Sequence, residues 1–204
     1  GAEVSFWPGN VMMNLGTRNQ AGQTYANYLT DYYSKLLASG LWDGLLFDNT
    51  WAGACWLNPD IDINSDGQKD DCSKINSLWH DYYNNFFAQL RKRIGSDYLI
   101  LGNGDGNYST YLNGRMLESF PEYWEGGWSK QIELLNQTNI TGFKPRLNII
   151  NSDSNNTGNK YDFTTMRFGL ISALLFDAYY NFDYGPNLRE HLWWYDEYEA
   201  NLGQ

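Results

Sequence analysis

The feature that most constrains this chain is a repeated alternation of short apolar runs with longer segments of helical period. The apolar runs are Val11 to Leu15, Leu45 to Phe47, Tyr98 to Leu101, Arg115 to Leu117, Leu147 to Ile150 and Ala178 to Phe182, each bounded by turn residues. Runs that lack polar alternation read as strands buried on both faces, the pattern of a parallel sheet. Between them, Tyr25, Tyr28, Leu29, Tyr32, Tyr33, Leu36 and Leu37 recur at helical spacing, with Thr24 as N-cap and Gly40 just past the end. Ile75, Leu78, Trp79, Tyr82, Phe86 and Leu90 form a second such series, closed by Gly95. Further helices are predicted over 125–136 and 162–175, the latter with Phe163, Met166, Leu170 and Leu174 on one face, and a last amphipathic segment runs through Leu188, Leu192, Tyr195 and Tyr198. Parallel strands joined by helices imply right-handed crossovers and an α/β fold.

The 204 residues suit a single domain, 1–204, with no repeat or linker marking a second. Six strands are two short of a (β/α)8 TIM-type barrel, which usually takes roughly 250 residues. The expectation is an incomplete barrel of about six βα units whose first two strands are absent; the alternative is an open doubly wound sheet. Polar residues favour the barrel, because they gather after nearly every run: Asn14, Asp48 and Asn49, Asn103 and Asp105, Glu118, Asn148 and Asn151, Asn181 and Asp183. Such positions converge on the C-terminal face of a barrel, where active sites are built, whereas an open sheet gathers fewer around one crevice.

One of those strands, in Asp43-Gly-Leu-Leu-Phe-Asp-Asn-Thr-Trp51, carries an acid into amide and aromatic neighbours. That combination suits sugar chemistry: a charge for the reacting carbon, amides for hydroxyls and rings for C–H faces. Glycoside hydrolysis usually needs two carboxyl groups. Asp48 is the first candidate and Glu118, in Arg115-Met-Leu-Glu118, is the second, with Glu122 and Glu125 near enough to compete. Asp43 begins its strand and belongs to the opposite, stabilising end. Rival chemistries lack their residues. Gly102-Asn-Gly-Asp-Gly106 lacks the third spaced glycine of a dinucleotide site, and no Gly-x-Ser-x-Gly or Walker loop occurs. His80 and His191 stand far apart, and both cysteines fall elsewhere, so a zinc site is not expected.

The Asp43-Gly-Leu-Leu-Phe-Asp-Asn stretch, the Gly-Asn-Gly-Asp loop and Arg115-Met-Leu-Glu118 together resemble the TIM-barrel glycoside hydrolases of the uncharacterised "hypothetical glycosyl hydrolase" group. The resemblance runs from about Asn14 to Tyr184 through short motifs. It implies a barrel in which Asp48 is nucleophile or base and Glu118 general acid; the missing N-terminal strands depart from it. On this reading Asn14, Asn49, Trp51, Asn103, Asp105, Trp124, Asn148 and Tyr179 would contact the saccharide. The alternative is a non-catalytic, calcium-stabilised carbohydrate-binding protein.

Asp60-Ile-Asp-Ile-Asn-Ser-Asp-Gly-Gln-Lys-Asp-Asp71 places oxygen ligands at alternate positions, with Gly67 allowing a sharp turn, as in the first half of a calcium loop. Asp60, Asp62, Asn64, Asp66, Gln68 and Asp71 are the candidate ligands for a structural calcium ion, with Asp70 competing with Asp71. The departure is Ser73, where a bidentate Glu is usual. Cys55 and Cys72 flank this loop, and a disulfide there would contribute about 3 kcal/mol in the chain-entropy picture. It would place the protein outside the cytoplasm, secreted or at the cell surface, and Gly1 suggests a processed or engineered start. At 42% hydrophobic residues the chain is not expected to be disordered. With 35 aromatic residues (9 Trp, 16 Tyr, 10 Phe) some rings, Trp51, Trp56 and Trp124 foremost, are expected to bind ligand. A net charge of -10 would repel nucleic acid and anionic lipid, and no apolar run approaches the roughly 20 residues that span a bilayer. Exposed sheet edges predict a homodimer.

Overall fold

Helix α1 starts where its sequence says it should. Thr24 accepts from the backbone of Asn27 while the Asn27 side chain accepts from Thr24, a reciprocal capping box that launches Tyr25–Leu37. The computed structural model to which α1 belongs describes residues 4–57, 60–121 and 126–200. The other elements are β1 (Gly44–Phe47), α2 (Cys72–Ile94), β2 (Leu99–Asn103), β3 (Gly114–Leu117), α3 (Gly127–Thr141), β4 (Asn148–Asp153), α4 (Phe163–Leu175), β5 (Ala178–Asp183) and a 3-10 turn over Asp196–Glu199. The fold is α/β. Strand order follows the chain within each part of the molecule, β1-β2 and β3-β4-β5, and the pairings described below are all parallel.

The chain forms two compact units, Gly1–Gly114 with Thr138–Arg146 and Arg115–Gln137 with Leu147–Gln204. In the first, β1 pairs with β2 in the register Gly44↔Leu99 to Phe47↔Gly102, with α2 as the crossover. Gly44 must lack a side chain there, since a Cβ would lie 2.4 Å from the Leu99 carbonyl oxygen. Leu37, Phe86, Phe87, Leu90, Ile100 and Tyr108 form the core beneath α1 and α2. Arg91 is buried in α2 and donates to the carbonyls of Gly95, Tyr98 and Tyr111 and to Asn113, so neutral oxygens satisfy its guanidinium. Burial lowers its pKa to about 10.

In the second unit, β3 pairs with β4 at Met116↔Ile149 and Leu117↔Ile150, and β4 with β5 from Asn148↔Ala178 to Asp153↔Asp183. Leu117, Phe120, Ile132, Leu135, Ile150 and Ala173 pack as one core and Met166, Phe182 and Tyr195 as another. Helix α4 is capped by Asp162 and comes close to the strands at Gly169, where a Cβ would meet Ser152 Oγ at 2.4 Å.

Several expectations are corrected. Val11 to Leu15 is not a strand: Val11 and Met13 are exposed, and Asn14 turns the chain by accepting from Gly16 N–H. Strand β1 is not buried on both faces, because Leu46 is exposed. The buried face of α4 is Met166, Gly169, Ser172 and Ala173, while Phe163 and Leu174 are exposed. An apolar helix carries too little polar contrast for periodicity to select its inner face. The segment after Asn187 forms no α-helix, only the 3-10 turn. Among the described residues, no helix is long and apolar enough to cross a membrane.

Candidate active site

In the first unit the site residues are set by two loops that lock together. Asp48 follows β1, and Asn49 takes a left-handed conformation (φ 56°) that Asn tolerates better than most residues. Asp48 Oδ1 accepts from Asn49 N–H (2.8 Å) and from Asn103 Nδ2 (3.0 Å), the last residue of β2. Thr50 N–H donates to the Asn103 carbonyl at 2.8 Å and the Thr50 carbonyl accepts from Gly106 N–H at 2.9 Å. This closeness explains the glycines: a Cβ on Gly104 would sit 2.7 Å from Thr50 C, and one on Gly106 2.3 Å from Thr50 O. Asp105 holds the other side of the loop by accepting from Ala52 N–H at 2.9 Å. Behind this lies Tyr83, whose hydroxyl is driven upward in pKa first by burial and then by the charge of Asp48.

In the second unit three carboxylates from successive strand ends meet one cation. Arg189 Nε lies 2.8 Å from Glu118 Oε1, and Nη1 lies 3.5 Å from Asp153 Oδ2 and 3.3 Å from Asp183 Oδ2. The same guanidinium donates to Asn151 Oδ1 (2.7 Å) and Ser119 Oγ (2.8 Å). Ser119 in turn donates to Asp153 (2.6 Å), and Asn151 Nδ2 donates to Asp183 (2.9 Å). The Asp183 and Asp153 side chains are 2% and 8% exposed, whereas that of Glu118 is 37% exposed. Glu118 is thus the carboxylate of this cluster presented to solvent, and Ser119 beside it has a left-handed φ of 51°. Asp153 and Arg189 did not stand out in the sequence. The Ser119–Arg189 contact spans 70 residues, and no local pattern marks it.

The structure sorts the other expected residues. Asn103 and Asp105 do end or follow β2. Asn14 donates to the Ile63 carbonyl at 2.7 Å, tying its segment to the acidic loop. Asn148 begins β4 rather than ending it and is buried, with Oδ1 accepting from Arg115 N–H. Tyr179 is exposed near the start of β5, at the opposite end from Asp183. Trp51 is a core residue, packed with Ile61, Ile63, Ile75 and Trp79; the ring at the surface beside it is Trp56. Trp124, Glu122 and Glu125 lie outside the described residues.

In the acidic loop, Ile61 and Ile63 point into the core and leave Asp62 and Asn64 outside. Asp62 accepts from the N–H groups of Asp66 and Gly67, Gly67 having φ 86°. Asp71 caps α2, Asp60 pairs with Lys69 at 2.7 Å, and Lys74 pairs with buried Asp70 at 2.5 Å and with Asp66 at 3.8 Å. Cys55 and Cys72 form a disulfide across the loop, with Cα atoms 5.2 Å apart. Among the described residues, no three or more His, Cys, Asp and Glu side chains are gathered closely enough to hold a metal ion.

A search of curated proteins finds no match. The family model that does match, described as hypothetical glycosyl hydrolase family 15, covers residues 1–204. An α/β chain with carboxylates at the C-terminal ends of its parallel strands, matched over its whole length, therefore belongs to hypothetical glycosyl hydrolase family 15.

Proposed function

We propose that the protein is a glycoside hydrolase acting on a polysaccharide or oligosaccharide, with Asp48 and Glu118 as its two carboxyl groups. The observation that carries this is the position of each at the C-terminal end of a parallel strand, in a chain of a glycosyl hydrolase family. One carboxyl would protonate the leaving oxygen while the other attacks the anomeric carbon or activates water. Arg189 already occupies an Oε1 lone pair of Glu118, so Glu118 suits the nucleophile or base. Within each unit the strands follow the chain, β1 beside β2 in the first and β3, β4 and β5 in the second, which supports a partial barrel, because a doubly wound sheet reverses its order at a switch point. Reducing ends should appear when the protein is incubated with a panel of polysaccharides; release from none of them would contradict the reading.

A carbohydrate-binding protein without catalysis is the second reading, favoured by the exposed rings of Trp56 and Trp194. Three further parts belong to the proposal. Calcium would be held by Asp62, Asn64, Asp66 and the Gln68 carbonyl, with Asp66 and Asp70 exchanging Lys74 for the ion. EDTA should then lower the melting temperature and added calcium restore it, and an unchanged melting curve would count against the site. Secretion or surface display is supported by the Cys55–Cys72 disulfide and is checked by fractionating the source cells. Dimerisation through sheet edges is supported by exposed Leu46 and Tyr179, and a monomer mass in solution would contradict it.

A further inference from the structure

Three residues beyond Arg189 the chain turns a second set of chemistry outward. The loop before α4 and the segment after β5 enclose an open cleft of about 800 Å³. Its walls carry Tyr161, Phe163, Leu192, Trp193 and Trp194, and Tyr161 and Trp194 are 67% and 72% exposed. Large rings held that far in water forgo burial that would otherwise stabilise the fold. They are also held in place from behind: Trp193 packs on Phe182 at 5.6 Å, Trp194 meets Tyr198 edge-on at 5.4 Å, and Tyr195 Oη donates to the Lys160 carbonyl at 2.7 Å. The rings are therefore a fixed surface.

The charges in the same cleft select what it can hold. Lys160 and Arg167 are matched by Asp196 and Glu197, so the lining is neutral within a chain of net charge -10. Arg167 donates to Glu197 at 2.8 Å and lies 5.0 Å from the Phe163 ring centroid, while Lys160 lies 5.1 Å from that of Tyr161. Nothing here attracts an anionic polymer, and the chain as a whole repels one. A lipid tail or apolar helix would bury four charged groups among its contacts, at a cost. A neutral sugar chain fits both features, since its C–H faces cover rings while its hydroxyls reach the cleft's charged groups, of which Arg167 and Glu197 stay paired. We infer that this cleft is a binding site for a neutral polysaccharide chain. The inference shares the carbohydrate reading of the family but does not need hydrolysis at Asp48 and Glu118.

Native electrophoresis in gels carrying a mixed-linkage glucan, a xyloglucan, a galactomannan or pullulan tests it. Wild type should be retarded in at least one gel, with Trp194→Ala and Tyr161→Ala/Trp194→Ala weakened at least tenfold. Because both rings are exposed, the variants should melt within a few degrees of wild type. Retardation without hydrolysis of any gel polysaccharide by wild type would leave the cleft supported while the catalytic reading fails. Free migration of wild type in every gel would overturn the inference, as would undiminished retardation of the double variant. Self-association abolished by Trp194→Ala would assign the cleft to a second copy of the chain and overturn it as well.

Discussion

Asp48 and Glu118 stand at the ends of parallel strands in different units, and their surroundings differ in kind. Asp48 accepts from neutral amides, one of them its own neighbour in the chain. Glu118 shares a guanidinium with Asp153 and Asp183, which reaches it from 71 residues away in sequence, as the numbers 118 and 189 show. The first environment is local and replaceable. The second is a charge balance in which one cation serves three acids, two of them nearly out of water. A shared cation makes the surrounding fold depend on it, so under the proposed roles activity and stability should separate at Asp48 and be coupled at Glu118.

That contrast sets the size of the expected effects. Arg189→Ala removes the cation from Asp153 and Asp183, and breaking a buried pair in this way costs about 3–5 kcal/mol. Urea unfolding should show it, and a loss below about 1 kcal/mol would mean that the cluster does not hold the second unit together. Asn103→Ala removes a neutral donor from an exposed carboxylate, so the expected loss of stability is about 1 kcal/mol or less. A loss as large as that of Arg189→Ala would erase the contrast. The smallest effect is that of acid on the loop after β1. Asp70 is held below the usual carboxylate range by Lys74 and by the Ile63 N–H, and Asp66 by Asn64 and the Gln68 N–H. Both folded pKa values are depressed, so their contribution is present above the unfolded carboxylate range, near pH 4, and fades as pH falls through the folded values. Melting temperatures of wild type and Lys74→Met should therefore differ at pH 6 and converge toward pH 3.

The helices were largely legible because their ends are written locally: Thr24, Gly95 and Asp162 cap or close α1, α2 and α4 as their types suggest. The starts of β1 to β5 were legible to within about a residue and the ends of β1 and β3 to the residue, but β2 and β4 run on past their apolar runs. An apolar run stops at its first polar residue, whereas the ladder continues through Asn151↔Asn181, Ser152↔Phe182 and Asp153↔Asp183, since backbone pairing does not depend on side-chain polarity. The residue lost by that criterion is Asp153, which joins Asp183, already marked as the polar residue after its run, around Arg189. Asn148 and Tyr179 were misplaced because an amide or a phenol near a short run gives no direction along the strand. Trp51 was taken for a surface ring on loop position alone, and its burial comes from the Ile61 and Ile63 side chains of a loop folded back over it.

Initial rates of wild type, Asp48→Asn and Glu118→Gln on a polysaccharide that the wild type cleaves test the account most directly. General acid–base and nucleophilic roles are each worth at least about 100-fold, so both variants should fall by that factor or more while remaining folded. Rates equal to wild type in either variant would contradict the assignment of that carboxylate.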